Sequence, residues 1–460
     1  MSFLQKFLDF YRDREYFASL VRIALPIATQ SLVMSSLNMV SVVMIGQLGE
    51  TELAAVGLAG QIFFLVNLIL FGVASGAAMF TAQLWGKGDI PNIRRVLGLS
   101  LKLGLLGAGV FWALAIFAPQ AALQFYTEDP AVVALGADFL RIFGWSYPFF
   151  AVTFAYAFVL RSTGNVRLPM AVTVFALSLN TVLAYGLIFG HFGLPKMGVE
   201  GAAWAGLIAR VVECLLMLAM VYRRRDYPAA ASLGDIFEFD WNFIVRVMKP
   251  VLPVIANELL WSMGITTYSA IYARVGTDAI AAINIVGAID QLAFVAFIGL
   301  GNATAILVGN LIGKGDKEEA VRYAGRSLGL QIVAGVVIGL LVYLFADGIF
   351  SLYKVSPGVI ESARSLLLIM AAAIWLRAAN MVMIVGILRA GGDTRFSLAL
   401  DGMVIWVVGV PLAAFAAFIL HWPVELVYLM ALTEEVTKFI FSLWRFFSRK
   451  WINDLAQTIT

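Results

Sequence analysis

The sequence predicts an all-α integral membrane protein in which twelve transmembrane helices form two six-helix lobes around a central cleft. Three observations predict this class: an unusually apolar composition, twelve apolar runs of membrane-spanning length, and landmarks that recur 227 residues later as a parallel internal repeat. The composition indicates that the chain is surrounded by lipid. The apolar runs give the number of spans, and the repeat indicates how the spans are grouped.

The composition is far from that of a soluble protein. Of 460 residues, 61% are apolar or aromatic and 13% are charged, about half of the ~25% that is usual. A water-soluble fold of this length could not bury so many apolar side chains. A soluble enzyme, a disordered chain and a secreted disulfide scaffold are therefore excluded. The single cysteine, Cys214, and two histidines, His191 and His421, offer neither a disulfide framework nor a metal-ligand spacing.

Twelve apolar runs of roughly 20 to 30 residues are each long enough to cross a bilayer of ~30 Å. In chain order they are 17–46, 53–84, 96–118, 132–160, 168–190, 201–222, 244–273, 279–312, 321–346, 360–388, 396–420 and 424–444. The first 16 residues are charged and amphipathic, which predicts a short surface helix with no cleaved signal peptide.

Lys and Arg are concentrated on alternate connections. Twenty-three of them, including Arg161 and Arg389, fall at the N-terminus, in the even-numbered connections and in the tail, whereas the odd-numbered connections hold three. Cytoplasmic connections carry the excess of basic residues. We therefore expect a multi-pass protein of the cell (inner or plasma) membrane with both termini cytoplasmic.

Polar landmarks define the repeat, which should be sought before other features. The tetrapeptide GKGD at 86–89 returns at 313–316, an offset of 227, and LRSTG at 160–164 matches LRAGG at 388–392, an offset of 228. Six spans per half make both halves enter the membrane from the same side, so the repeat is parallel.

The repeat also predicts the domain boundaries. Residues 1–222 form an N-lobe with the amphipathic segment and spans 1–6, 223–243 a cytoplasmic connection, and 244–460 a C-lobe with spans 7–12 and a basic tail. Two such lobes leave a central cleft between them, the usual geometry of alternating access.

Several motifs spread over both halves occur in a distinctive order. They are MIGQLGETELAAVGLAGQIFF (44–64), the GKGD turns, LRSTGN (160–165), LIFGHFGLPKMGVEGAAWA (187–205) and LRAGGD (388–393). Together they resemble the multidrug and toxic compound extrusion (MATE) family, within the wider multidrug/oligosaccharidyl-lipid/polysaccharide exporter superfamily. The resemblance implies cation-coupled antiport, in which Na⁺ or H⁺ enters and an organic cation or other amphipathic solute leaves. It implies a monomer in the lipid bilayer, no cofactor beyond the coupling ion, and no nucleic-acid partner.

The N-lobe departs from the family pattern. Where family members often carry aspartates, this chain has Ser41, three residues after Asn38, and Ala184, four residues after Asn180. The seventh-span glutamate of the Na⁺-coupled branch does match, as Glu258. The resemblance therefore implies that the coupling ion binds mainly in the C-lobe.

Ionisable residues inside the membrane are functional candidates, because each costs a few kcal/mol or more there. Three C-lobe acids are the predicted ligands of the coupling ion: Glu258, Asp290 and Asp401. If that ion is Na⁺, the predicted ligands are Glu258 and Asp290. Arg377 is the predicted charge partner of one carboxylate, and the sequence leaves open which one.

Other polar side chains are predicted to support the site. Ser262 and Thr266 follow Glu258 on one helical stripe of oxygen-bearing side chains. The remaining supporting residues are Asn257, Asn380, Asn38 and Asn180.

Two pairs of charged residues at helical spacing are instead predicted to be structural. These are Arg210 with Glu213, and Glu434 with Lys438.

The leading functional hypothesis is a secondary active exporter of drugs and organic cations. The alternative is a flippase or exporter of a lipid-linked or other metabolite on the same fold, which should line its cavity with several cations. An enzyme is not expected, since HExxH, GxSxG and paired membrane histidines are absent from the sequence.

Overall fold

A computed structural model describes residues 13–224, 226–238, 240–350 and 355–459, and in these ranges the chain is helical with no β-strand. The N-terminal surface helix predicted over 1–16 lies mostly outside the described residues. The α-helices are α1 (Arg14–Gly46), α2 (Glu50–Lys87), α3 (Ile90–Phe117), α4 (Pro119–Gln124), α5 (Pro130–Phe143), α6 (Ser146–Ser162), α7 (Arg167–Phe189), α8 (Gly198–Arg223), α9 (Leu233–Phe237), α10 (Trp241–Val275), α11 (Thr277–Lys314), α12 (Lys317–Leu344), α13 (Ala346–Phe350), α14 (Pro357–Met381), α15 (Thr394–Ser397), α16 (Val410–Phe418), α17 (Val424–Ala431), α18 (Thr433–Phe447) and α19 (Ala456–Ile459).

The predicted fold class is confirmed, because a helix or a succession of helices coincides with each of the twelve predicted spans. By length and composition, nine helical segments within the described ranges could cross a membrane, or ten if α5 and α6, bent by 53° at their junction, count as one span. The other two predicted spans coincide with α10 and with α17–α18. These helices carry Glu258 and Glu434, two of the buried acids of the protein.

The repeat is visible in matching turns. Gly88 and Gly315 end α2 and α11 in the left-handed conformation, with φ of 78° and 86°, which glycine adopts without strain. The next residues, Asp89 and Asp316, each accept a hydrogen bond from the amide three residues on and so cap α3 and α12.

The described residues group into two compact units, and the grouping differs from the predicted boundaries in two places. The C-terminal unit combines the residues up to Ala28 with Lys249–Thr458, and the N-terminal unit contains Thr29–Met248 with Ile459.

The first half of α1 therefore packs with the C-terminal half of the chain. The hydroxyls of Tyr16 and Ser327 lie 2.9 Å apart, and Arg326 donates to Asp13 at 2.7 Å. These are contacts between residues about 310 positions apart, which helix periodicity does not reveal.

The connection 223–243, predicted to stand between the lobes, belongs to the N-terminal unit. Its helix α9 packs on α3, where Arg94 and Asp235 form an ion pair of 3.0 Å.

Spans ten and eleven are not regular α-helices. Span ten continues from α14 as a π-helical segment over Val382–Arg389, and span eleven contains two more, Leu398–Met403 and Ile405–Gly409. Such insertions are rare and occur frequently at functional sites. Two charged residues, Arg389 and Asp401, lie within them.

Candidate ion-binding site

Glu258 is buried in α10 and is paired with an arginine that the charge pattern assigned to a cytoplasmic connection. Its Oε1 lies 2.6 Å from Nη1 of Arg389, and the two residues are only 9% and 2% exposed. Span ten continues as a π-helix through Arg389, one residue beyond the predicted span, and Arg389 is buried at its end. A second nitrogen of Arg389 lies 3.8 Å from Asp401, so this guanidinium bridges two acids.

Asp401 joins four spans. It lies on span eleven, accepts a hydrogen bond of 2.9 Å from Asn257 on α10, and faces Arg389 from span ten. Lys438 on α18 approaches its other oxygen at 3.2 Å. A change in the charge of this one carboxylate therefore alters the contacts of spans seven, ten, eleven and twelve.

Lys438 extends the network to two further acids. Its ammonium is 3.2 Å from Glu434 and 3.7 Å from Glu435, so the predicted Glu434–Lys438 pair is present but is part of a larger group. Tyr268 donates to Glu434 at 2.9 Å, and Asn380 donates to Glu435 at 2.6 Å.

The acids of this network outnumber its cations. Four carboxylates, those of Glu258, Asp401, Glu434 and Glu435, face the two cations of Arg389 and Lys438. With every group ionised, the network carries two excess negative charges. Buried charge without compensation costs several kcal/mol per ion, so the arrangement favours the uptake of protons or of a cation.

Two buried oxygen atoms are also available. The side-chain Oδ1 atoms of Asn257 and Asn380 have no hydrogen-bond partner among the described residues, although both side chains donate to an acid of the network. Each can accept a hydrogen bond from a protonated carboxyl group or ligate a hard cation such as Na⁺. Over the described ranges, no cluster of three or more His, Cys, Asp or Glu residues could hold a metal ion by itself.

Arg377 finds its partner outside this network. It pairs with Asp290 at 2.6 Å, with side chains 25% and 20% exposed, and its guanidinium lies over the ring of Phe294. The structure thus answers which carboxylate faces Arg377. Because Glu258 and Asp290 are paired with different arginines, a Na⁺ site that joins these two acids stays a prediction.

The predicted supporting residues divide into two groups. Asn257 and Asn380 are buried in the network. Thr266 is exposed and donates to the backbone carbonyl of Ser262, because eight residues advance an α-helical face by about 80° and turn Thr266 away from Glu258. Asn38 and Asn180 lie in the other unit, where Asn38 is exposed.

The N-terminal unit holds one buried acid among its described residues, Glu213. It pairs with Arg210 at 2.6 Å, which confirms the predicted structural pair. The C-terminal unit therefore holds the larger buried acidic group.

The contacts that sequence reasoning missed, those of Arg389 and Glu435, had identifiable signals. Arg389 is aligned by the repeat with Arg161, so it occupies a fixed position of the fold and not a variable connection. Glu435 precedes Lys438 by three residues, a spacing that allows contact on a helix.

Comparisons with known proteins show which family the sequence of this chain matches. The family model MatE matches residues 26–186 and 253–415. The chain is 30% identical over 409 residues to the probable multidrug resistance protein NorM of Deinococcus radiodurans, covering 86% of this chain and 87% of that protein. It is 26% identical over 410 residues to the NorM of Agrobacterium fabrum, covering 88% and 87%.

The fold is also that of solved transporters. The crystal structure of a mutant of the Vibrio cholerae MATE transporter VcmN is similar with a TM-score of 0.87, at 19% identity, over 96% of this chain and 99% of that one. The two matches of the family model fall one in each half of the repeat and together cover more than half of the chain. The chain therefore belongs to the MatE family, that of the MATE transporters.

Proposed function

We propose that the protein is a secondary active exporter of small amphipathic or cationic organic solutes, driven by inward movement of H⁺ or Na⁺ through alternating access. The coupling ion binds in the acidic network of the C-terminal unit. The observation that carries this proposal is the excess of four buried carboxylates over two cations. The names of the curated relatives, probable multidrug resistance proteins, support the solute class.

Asp401 is the acid best placed to couple ion binding to helix movement. A proton on a carboxylate turns an acceptor into a donor and weakens its attraction to Lys438 and Arg389. Since these partners lie on spans ten and twelve, and Asn257 on span seven, neutralisation of Asp401 releases three neighbouring helices at once. Arg389 and Asp401 lie in the π-helical turns of spans ten and eleven, and such turns occur frequently at functional sites.

The test is efflux of a fluorescent organic cation from proteoliposomes under separately imposed pH and Na⁺ gradients. The wild-type protein should move the dye when one gradient is applied, and the effective gradient identifies the ion. Asp401→Asn removes the titratable charge with little change of shape, so the driven rate should fall at least tenfold, a loss that corresponds to about 1.4 kcal/mol. Asp138→Asn removes an acid from an exposed pair with Arg141 and should have no effect.

Two results would contradict the proposal. One is dye movement by the wild-type protein that responds to neither gradient. The other is an Asp401→Asn variant that keeps the full gradient-driven rate while remaining folded in the membrane.

A further inference from the structure

Arg161, near the end of α6, is a half-buried guanidinium that forms no ion pair in the described part of the chain. Its Nη2 donates to the neutral amide of Gln30 at 2.9 Å, and its buried Nε has no hydrogen-bond partner. No acid in the described part of the chain forms an ion pair with it within 4.0 Å. Its guanidinium also lies over the ring of Phe158, whose centre is 5.5 Å away, and Glu213 acts on its charge from beyond ion-pair distance.

The repeat provides an internal comparison for this position. Arg161 corresponds to Arg389, and both precede the same backbone turn. Asn165 donates its amide to the carbonyl of Leu160 at 2.8 Å, as Asp393 donates to that of Leu388 at 2.9 Å. The two arginines therefore occupy equivalent positions at the ends of equivalent helices.

What differs is the surrounding acids. Arg389 has Glu258 at 2.6 Å and Asp401 at 3.8 Å, and the repeat places Ser31 and Thr173 at the positions of those acids in the N-terminal unit. Glu213, the buried acid of that unit, is already paired with Arg210.

The helix dipole does not replace the missing acids. A helix C-terminus favours a cation by typically 0.3–1 kcal/mol, but Arg389 has the same advantage and still has two carboxylates beside it. A half-buried cation with a buried Nε and no ion-pair partner can instead pair with an anion from outside the chain.

We infer that Arg161 and Gln30 form a binding site for an anionic group, a carboxylate, sulfonate or phosphate, that occupies the position of the missing acids. The guanidinium offers Nε and its remaining nitrogens as charge-assisted donors in a planar fork. Such a group can come from the transported solute, which would then be zwitterionic or anionic, or from an anionic lipid headgroup. The solute source rests on the proposed function.

The first experiment compares two fluorescent probes that differ in one group. Rhodamine 110 has a free carboxylate, and rhodamine 123 is its methyl ester. Fluorescence anisotropy measures their binding to the purified full-length protein in nanodiscs of zwitterionic lipid, with no ion gradient present. Arg161→Gln should lower the affinity for rhodamine 110 at least tenfold and change the affinity for rhodamine 123 by less than twofold. Arg161→Lys should have an intermediate affinity for rhodamine 110.

Ser31→Glu is the matched variant that keeps Arg161. It places a carboxylate where the C-terminal unit has Glu258, and this carboxylate should occupy the site beside Arg161. The affinity for rhodamine 110 should therefore fall as much as it does in Arg161→Gln. Arg141→Gln removes an exposed arginine and is the control for a general loss of positive charge.

A second arm tests the lipid source. Thermal unfolding is compared in nanodiscs with and without phosphatidylglycerol, in the absence of dye. Stabilisation of the wild-type protein that Arg161→Gln and Ser31→Glu both abolish identifies a headgroup phosphate as the ligand.

If Arg161→Gln selectively loses the binding of rhodamine 110, the transported solute is identified as the source of the anion. If Arg161→Gln changes neither the rhodamine 110 affinity nor the phosphatidylglycerol effect, or weakens both dyes equally, the inference is overturned. Failure of gradient-driven efflux would contradict the proposed function alone, because these binding measurements need no gradient.

Discussion

The substitution Arg389→Gln tests the charge balance of the acidic network most directly. It removes one of the two cations and raises the excess of negative charge from two to three, whereas Glu258→Gln lowers that excess to one. Removing one partner of a buried ion pair typically costs about 3–5 kcal/mol. Arg389 and Glu258 are both buried, so little solvent screening reduces this cost.

The two single variants should therefore differ. Arg389→Gln should lose stability near the upper end of that range, because Glu258 and Asp401 both lose a counter-ion. Glu258→Gln should lose less, since Arg389 keeps Asp401 at 3.8 Å. The double variant returns the excess to two and should be more stable than Arg389→Gln alone, with a coupling energy of about 0.5–3 kcal/mol.

The assay is reversible thermal unfolding of the purified protein in nanodiscs at pH 7. The unfolding midpoints of the wild-type protein, the two single variants and the double variant form a double-mutant cycle. For a unit of about 200 residues, 3–5 kcal/mol corresponds to a fall of the midpoint on the order of 10 °C. The reasoning is refuted if Arg389→Gln is as stable as the wild-type protein, or if the effects of the two substitutions simply add.

Three further predictions concern other parts of the chain. A single cysteine at Lys317 should be shielded from an impermeant thiol reagent in intact cells and one at Val355 should react, and labelling of both from outside would contradict the predicted topology. Asp290→Asn should lower the unfolding midpoint by leaving Arg377 without its partner, and adding Arg377→Gln should restore much of the loss; a fully additive double variant would show that their ion pair contributes no stability. The hydrogen bond from the Tyr16 amide, and then the charge of Arg326, lower the pKa of Asp13 below its usual range. The carboxylate therefore stabilises the fold fully above about pH 4, the unfolded value, and this contribution is lost as the pH falls through the lowered folded value. Asn can still cap the helix but lacks the charge that faces Arg326, so Asp13→Asn should cost about 0.5–1 kcal/mol at pH 7 and nothing at the acid end, and a loss independent of pH would refute this origin.

The spans and the repeat could be predicted because they depend on local patterns. Apolar runs of sufficient length must be buried in lipid, and GKGD turns end a helix wherever they occur, as Gly88 and Gly315 show. The packing of α1 could not be predicted in this way. Its first half contacts Ser327 and Arg326, and nothing in the helix itself indicates which of several apolar neighbours it joins.

The ion pairs were harder to predict than the helices that carry them. Contacts across helices depend on how each helix is rotated about its axis, and one inserted π-turn residue rotates the remainder of the helix by about 100°. Spans ten and eleven contain three π-helical segments, so an α-helical pattern misplaces Arg389 and Asp401. The choice of partner depends on the same rotation, as the pairing of Arg389 with Glu258 shows.

The repeat separates what the fold requires from what the function requires. Arg161 and Arg389 occupy the same turn, so an arginine there is compatible with either unit, and the fold tolerates Ser31 and Thr173 at the positions that Glu258 and Asp401 occupy in the second half. The acids are therefore not needed to pack these helices. Burying them is costly, and a costly group that the fold does not need is explained by what it binds. The repeat therefore favours the unit that contains the acids as the one that binds the coupling cation, in support of the proposed function.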